Sequence, residues 1–495
     1  MILKADLLKL IRSTSSAEQT YFRARFRTKT KEPEYLKLFN FILKHTPTNV
    51  SELENLYKQH YPSSSLDNHA HYLFHTLTDC LVQMRIDQDQ SFDKWFTLLR
   101  AQLFTERSMT ERSLLALQNA NRYSMHRSDP FFDFFRLRQE LLLLHTLGYP
   151  HMEENDLVDL QMKAQNRLRM ARQLHEHYSL FEMLSYRLSR AASTPLLADS
   201  LADLVLHEIS IVSRGHTPSF EQQKLHLLFQ SFYFMQTNDY GLALKVFKQL
   251  NHLFEQHEDH WNFPPYDYLT ALEGVLDNLY TISYASDMTY FLNKVAQLTE
   301  ANHPEHFTLK AQQVHLIYSM KQHLNTGELE QAKALLSQTR TNGRISHFLD
   351  TEKQAEWFFL TGILYFKSHD TRKARQYILE AIPFIDNRPT DMLSRAIRLL
   401  NLILTYRAHD LSYISHEIRN YKRMHKQKGS MLQSEKLLLY VLNLDPKMLS
   451  RPRKRAVLTK CSPTIALIKK SKQEMNLLKH YDFCQWITEA LTSSS

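Results

Sequence analysis

From Trp357 to Ala381 the chain reads W-F-F-L-T-G-I-L-Y-F-K-S-H-D-T-R-K-A-R-Q-Y-I-L-E-A. Gly362 and Tyr365 stand one helical turn apart, and Ala374, Ile378 and Ala381 follow at the positions a second helix would bury. A small residue on each of two consecutive helices lets their backbones approach closely, so the stretch predicts an antiparallel helix pair. One such pair leaves an apolar face open and therefore predicts neighbours that stack on it.

The same spacing resembles a tetratricopeptide unit, and weaker copies lie around it. Ala243 is followed by Phe247, Ala332 by Leu336 and Ala374 by Ile378, with a degenerate copy at Phe291 and Val295. Successive anchors are 48, 41 and 42 residues apart. These intervals exceed the ~34 residues of an ideal tetratricopeptide array, so the resemblance is to the class of repeat more than to its strict consensus. A further degenerate pair is expected around Tyr413.

Composition points the same way. The 495 residues contain only 8 glycines, and six of them (Gly148, Gly215, Gly241, Gly327, Gly343, Gly429) stand at breaks between apolar runs. Sheets and glycine-rich phosphate loops are hard to build on that supply. Long segments of Leu, Gln, Lys, Arg and Glu with apolar residues three and four apart favour helix, and the expected fold class is all-α, an α-solenoid of helix pairs behind a small N-terminal helical unit. Cys80, Cys461 and Cys484 show no C-x-x-C spacing, and three thiols cannot make a disulfide framework, which suggests a reducing compartment. With neither an apolar leader nor a run long enough to span a bilayer, a cytoplasmic location is expected.

Four segments are expected: an N-terminal helical unit over 1–92, irregular helix pairs over 93–220, tetratricopeptide-like repeats over 221–430 and a basic helical segment over 431–495. The first carries start signals at Ser15-x-x-Glu18 and Ser51-x-x-Glu54, both of capping-box form. L-I-R-S-T-S-S-A-E-Q-T-Y-F-R from Leu10 to Arg23, followed by Y-L-K-L-F-N-F-I from Tyr35 to Ile42, resembles the start of a family of uncharacterised bacterial helical-repeat proteins. The resemblance implies fold and no activity. A helix-turn-helix with 67–85 as recognition helix is disfavoured, because Arg85 is the only Lys or Arg in that helix.

On the tetratricopeptide resemblance, a concave groove would be lined by Leu225, Leu228, Phe232, Met235 and Gln236, then Val314, Ile317, Lys321, Leu324 and Asn325, then Glu356, Phe359, Ile363, Phe366 and Lys367. The set is mostly apolar and lacks the Lys, Asn and Arg pattern of the carboxylate-clamping variant. Such a groove either receives an amphipathic helix or extended peptide, or is filled by neighbouring segments of the same chain.

The formal charge of +9 is uneven. Residues 405–480 hold 17 Lys+Arg against 5 Asp+Glu, leaving 44 against 47 elsewhere. Arg419, Lys422, Arg423, Lys426, Arg451, Arg453, Lys454, Arg455, Lys469 and Lys470 form a candidate basic patch that could meet phosphates, although only Tyr413 and Tyr421 offer stacking faces nearby. The bland alternative is a solvated basic surface. Among 26 histidines, His71 and His75 with Asp79, and His252, His257, Glu258 and His260, have ligand-like spacing without a recognised metal signature, and no metal is expected. No glycine-rich nucleotide loop or nucleophile elbow is present, so no cofactor and no catalytic residue is expected. The expected function is a non-catalytic scaffold or adaptor binding an unknown protein partner in the groove, with a nucleic-acid or anionic partner at the basic region as the alternative.

Overall fold

The computed structural model describes residues 2–26, 33–47, 49–62, 65–88, 90–124, 129–150, 152–191, 201–213, 219–261, 263–282, 285–301, 303–341, 351–385, 391–408, 411–428, 431–446 and 448–492. Among them the chain is all-α, with 24 α-helices, two short 3-10 turns and no strand. Contacts group it into two compact units. The boundary at Gln173–Leu174 falls inside one long helix, not at the 92/93 and 220/221 junctions expected above, and residues 431–495 belong to the second unit.

The first unit begins with α1 (Ile2–Arg12), α2 (Ser16–Phe26), α3 (Glu34–His45), α4 (Val50–His60) and α5 (Leu66–Gln88). They close around one core in which Leu7, Ile11, Phe22, Phe39, Leu53, Leu73 and Leu77 are inaccessible to solvent. The Ser15–Glu18 box is formed in both directions: the Ser15 N–H donates to the Glu18 carboxylate at 2.7 Å and the Glu18 N–H to Ser15 Oγ at 3.1 Å. The second expected box is displaced. Asn49 caps α4 by accepting from the Glu52 N–H at 2.8 Å, because its backbone is extended at the residue just before the helix, and Ser51 lies inside the helix. Helices α6 (Gln90–Glu106), α7 (Thr110–Ser124) and α8 (Pro130–Thr146) then pack one on the next without a linker, which is why no unit ends near residue 92. Helix α9 (Glu154–Ala191) spans the boundary.

The second unit is mostly helix pairs. After α10 (Ala202–Val212) come α11 (Phe220–Gln236) with α12 (Tyr240–Gln256), α13 (Tyr266–Thr281) with α14 (Ala285–Glu300), α15 (Glu305–Thr326) with α16 (Leu329–Thr341), α17 (Thr351–Lys367) with α18 (Thr371–Ala381), and α19 (Met392–Arg407) with α20 (Leu411–Lys428). The repeat anchors are buried as their spacing implies: Ala243, Ala332, Ala374, Ile378 and Val295 have no accessible surface. The first four residues of α15 belong to the first unit.

Three pairs share one turn. Asn238, Gly327 and His369 take left-handed φ values of 56°, 80° and 62°. The next residue in each case donates its N–H five residues back, Asp239 to Phe234 at 2.8 Å, Glu328 to His323 at 2.9 Å and Asp370 to Tyr365 at 2.9 Å, so each first helix ends in a Schellman-like closure. Asp239 and Asp370 then cap the following helix through the Leu242 and Lys373 amides.

The two glycines outside the predicted breaks explain how closely the helices approach. A Cβ on Gly362 would lie 2.6 Å from Ile378 Cδ1, and one on Gly274 would lie 2.2 Å from Phe247 Cε1. Gly241, expected at a break, is instead in the first turn of α12.

The chain closes with α21 (Gln433–Asn443), α22 (Arg451–Lys470), α23 (Lys472–Leu478) and α24 (Phe483–Thr492). Helix α24 packs on α21 and α22, while α23 packs on α19. No described helix is long and apolar enough to cross a membrane.

Candidate binding site on the first-helix face

The face built by α11, α13, α15, α17 and α19 is not open. Helix α23 and the residues after it, up to Asp482, lie on it. Glu474 anchors this segment by accepting from the Gln433 N–H at 2.6 Å and from Ser434 Oγ at 2.5 Å, a carboxylate placed at the N-terminus of α21. Asn476 donates to Asn238 at 2.5 Å and accepts from the Tyr240 hydroxyl. Further along, the His480 ring stands 6.4 Å from Phe359 and the Tyr481 ring 6.1 Å from Phe366, both edge-on.

Lys479 makes the contact that charge dictates. Its Nζ lies 3.2 Å from the Asp277 carboxylate, which also receives Lys321 at 3.7 Å. Lys321 reaches Glu356 at 2.7 Å, and Lys353 joins Glu356 at 3.4 Å and Glu273 more closely still. Tyr318 supports Lys321 from below, with the ammonium 4.3 Å from its ring centroid. Burial pushes the Asp277 carboxyl up, yet Lys479 and Lys321 overcome it and hold the group well below the usual carboxylate range. Glu356 behaves alike: burial raises it, Lys321 and Lys353 pull it down, and the result is about 2. Burial first, then Lys479 and Lys321, depresses His480 to about 3, so the ring is neutral.

Two clefts flank the segment. One, of about 530 Å³, is lined by Phe232, Met235, Phe247 and Tyr318 together with the carboxylates of Glu273, Asp277, Glu352, Glu356 and Asp391, against the ammonium groups of Lys353 and Lys479. The other, of about 610 Å³, has the opposite balance, with Lys367, Arg407, Lys469 and Lys479 against Asp482 and Glu489. The arrangement can bind and orient charged groups.

The residues picked from the repeat spacing divide accordingly. Phe232 and Met235 line the acid-rich cleft, and Leu324, Ile363, Phe366 and Lys367 line the base-rich one. Ile317 and Phe359 are buried, Phe359 beneath His480, and Lys321 is buried within the ion-pair network. Leu228 is half-buried and lines neither cleft. Beside the expected Glu356, the face also carries Glu273, Asp277 and Lys353. Asp277 and Glu273 escaped notice because α13 follows the repeat pattern weakly, although Asp277 stands four residues before its helix end, as Phe232 does before the end of α11.

The exposed basic residues fall on two helices. Arg419, Lys422 and Arg423 are exposed on α20, which packs on α19, and Arg451, Arg453 and Arg455 are exposed on α22, which packs on α21 and α24. Lys454 is 5% exposed, and Lys469 faces the second cleft 3.9 Å from Asp482, while Lys470 points to solvent. The side chains of Lys426 and Tyr413 lie outside the described residues. Tyr421 cannot act as a stacking face, since it is buried and its hydroxyl donates to Glu435.

Of the histidines, His71 and His75 are exposed with rings 4.6 Å apart. His257 and His260 come together with Asp259, their ligand atoms all within 4.8 Å, and are the described residues best placed to take a divalent cation; His252 and Glu258 are not part of that cluster. In α5, Arg85 donates to the Phe263 carbonyl at 3.0 Å, and Ala70, Leu73, Leu77 and Cys80 fill the core, so the helix is committed to packing. No known protein family matches the chain, and no curated protein shows significant similarity to it.

Proposed function

We propose that the chain is a non-catalytic, cytoplasmic scaffold or adaptor whose first-helix face binds a short peptide segment, and that Asn476–Tyr481 occupies that place as an intramolecular stand-in. The observation that carries this reading is Lys479, which delivers its ammonium to Asp277 from 202 residues away in sequence while His480 and Tyr481 cover Phe359 and Phe366. Charge pairing at one point and aromatic contacts at the residues that follow are how a groove reads an extended peptide. A partner segment would carry Lys or Arg followed by bulky side chains. A tethered copy acts at an effective concentration of order millimolar, so a free peptide competes only if it binds tightly or the tether is weakened.

The test uses a fluorescent peptide spanning Glu474–Asp482. Fluorescence polarisation should show micromolar binding to the full-length Lys479→Glu protein, whose own segment is repelled by Asp277, and little binding to wild type. Adding Asp277→Asn to that variant should weaken the peptide at least tenfold. Equal binding to all three proteins, or none to any, sinks the proposal.

A further inference from the structure

The base-rich cleft contains a cation that no described carboxylate pairs with. Arg407, the last residue of α19, is half-buried and sits over Phe366, its guanidinium carbon 4.2 Å from the ring centroid. No hydrogen bond or ion pair joins it to another described residue. Of the other cations, Lys367 donates to the Leu324 carbonyl at 2.8 Å and Lys479 holds Asp277, while exposed Lys469 comes only within 3.9 Å of Asp482 and remains available to an anion. The two carboxylates are also taken, Asp482 by the Gln485 amide at 2.9 Å and Glu489 by the Gln485 side chain at 2.8 Å. Stacking fixes the plane of a guanidinium while leaving its edge donors open, and that edge matches a planar or tetrahedral oxyanion in bidentate fashion.

We infer that the cleft beside Arg407 is a binding site for a small oxyanion, a carboxylate or phosphate group, with Arg407 as the bidentate donor and Lys469 as a second cation. A partly desolvated guanidinium facing a cavity of about 610 Å³ draws such an anion because neither carboxylate of the cleft, Asp482 or Glu489, forms an ion pair with it. Lys479, His480 and Tyr481 form part of the cleft wall, so the site is that of the protein with its own segment seated, and its failure to bind an anion would leave the peptide reading untouched.

The test is titration calorimetry on the full-length protein at low ionic strength with inorganic phosphate and, separately, succinate. Saturable binding of either to wild type is expected, and which of the two binds more tightly names the group. Arg407→Gln should reduce affinity at least tenfold. Arg407→Lys, which keeps charge and loses the fork, should give an intermediate loss, and Lys470→Gln should change nothing. Melting temperature checks that the variants fold, and Arg407→Lys carries the test if Arg407→Gln does not. Absent saturable binding by wild type, or affinity unchanged in both Arg407 variants, overturns the assignment.

Discussion

The interior of the helix pairs and the face made by their first helices obey different rules. In the helix interior, Gly362 meets Ile378 within one pair and Gly274 meets Phe247 between two pairs, at distances that leave no room for a methyl group, and the neighbouring anchors are apolar and wholly buried. On the face, Asp277, Lys321, Lys353, Glu356 and Lys479 form a buried ion network beside two clefts. Interior contacts are local, non-directional and limited by volume. Face contacts are long-range, depend on charge, and can be exchanged for those of another segment with the same chemistry. The lesson is that repeat structure sets where a binding face will be, while the charges on it set what the face will accept.

The sharpest way to break the face is to remove its central cation. Lys321→Met leaves Asp277 and Glu356 partly uncompensated and should cost about 3 kcal/mol, toward the low end for a broken buried pair because Lys479 and Lys353 remain. Urea denaturation measures this, and a loss below a few tenths of a kcal/mol would contradict the network. The interior should respond slightly less. Gly362→Val forces Ile378 aside and should cost about 2 kcal/mol by overpacking, read from the same unfolding curve, whereas Gly148→Asn on an open left-handed turn should be nearly neutral.

A third comparison uses pH. His480 is depressed to about 3 in the folded protein, so the unfolded state takes up its proton first. Its contribution is fully present above its ordinary value near 6.5 and is lost as pH falls toward 3. Glu356, at about 2, contributes above its ordinary 4.5 and loses that contribution only below it. Between pH 6.5 and 5 wild type should therefore lose about 1–2 kcal/mol more than His480→Gln. His177, His303, His306 and His315, all lowered chiefly by burial, share the window, which is why the difference between the two proteins is the quantity to measure. Parallel pH profiles would show that His480 is not held neutral. Outside both regions, Ser15→Ala removes one arm of the α2 capping box and should cost about 1 kcal/mol in thermal unfolding.

Much of this architecture is legible in the chain. The small residue, the aromatic one turn away and the second small residue report a contact between helices joined by a short turn, so Ala243, Ala332 and Ala374 can be placed without coordinates. The Asn238-Asp239, Gly327-Glu328 and His369-Asp370 turns were equally available as a recurring left-handed residue followed by an acid, and they are a better guide to register than the degenerate apolar positions. Lys454 and Tyr421, by contrast, look like surface residues in sequence and are buried, since nothing local records which face of α22 or α20 will be covered.

By itself the sequence determined the helices, their pairing and the approximate register of the repeats, because those depend on interactions within some twenty residues. Tertiary structure alone decided that the first-helix face is covered, that Lys479 answers Asp277, and that Arg407 is left beside a cleft with no described carboxylate paired to it. Charges hundreds of residues apart leave no periodic trace along the chain, and they acquire neighbours only when the pairs have stacked.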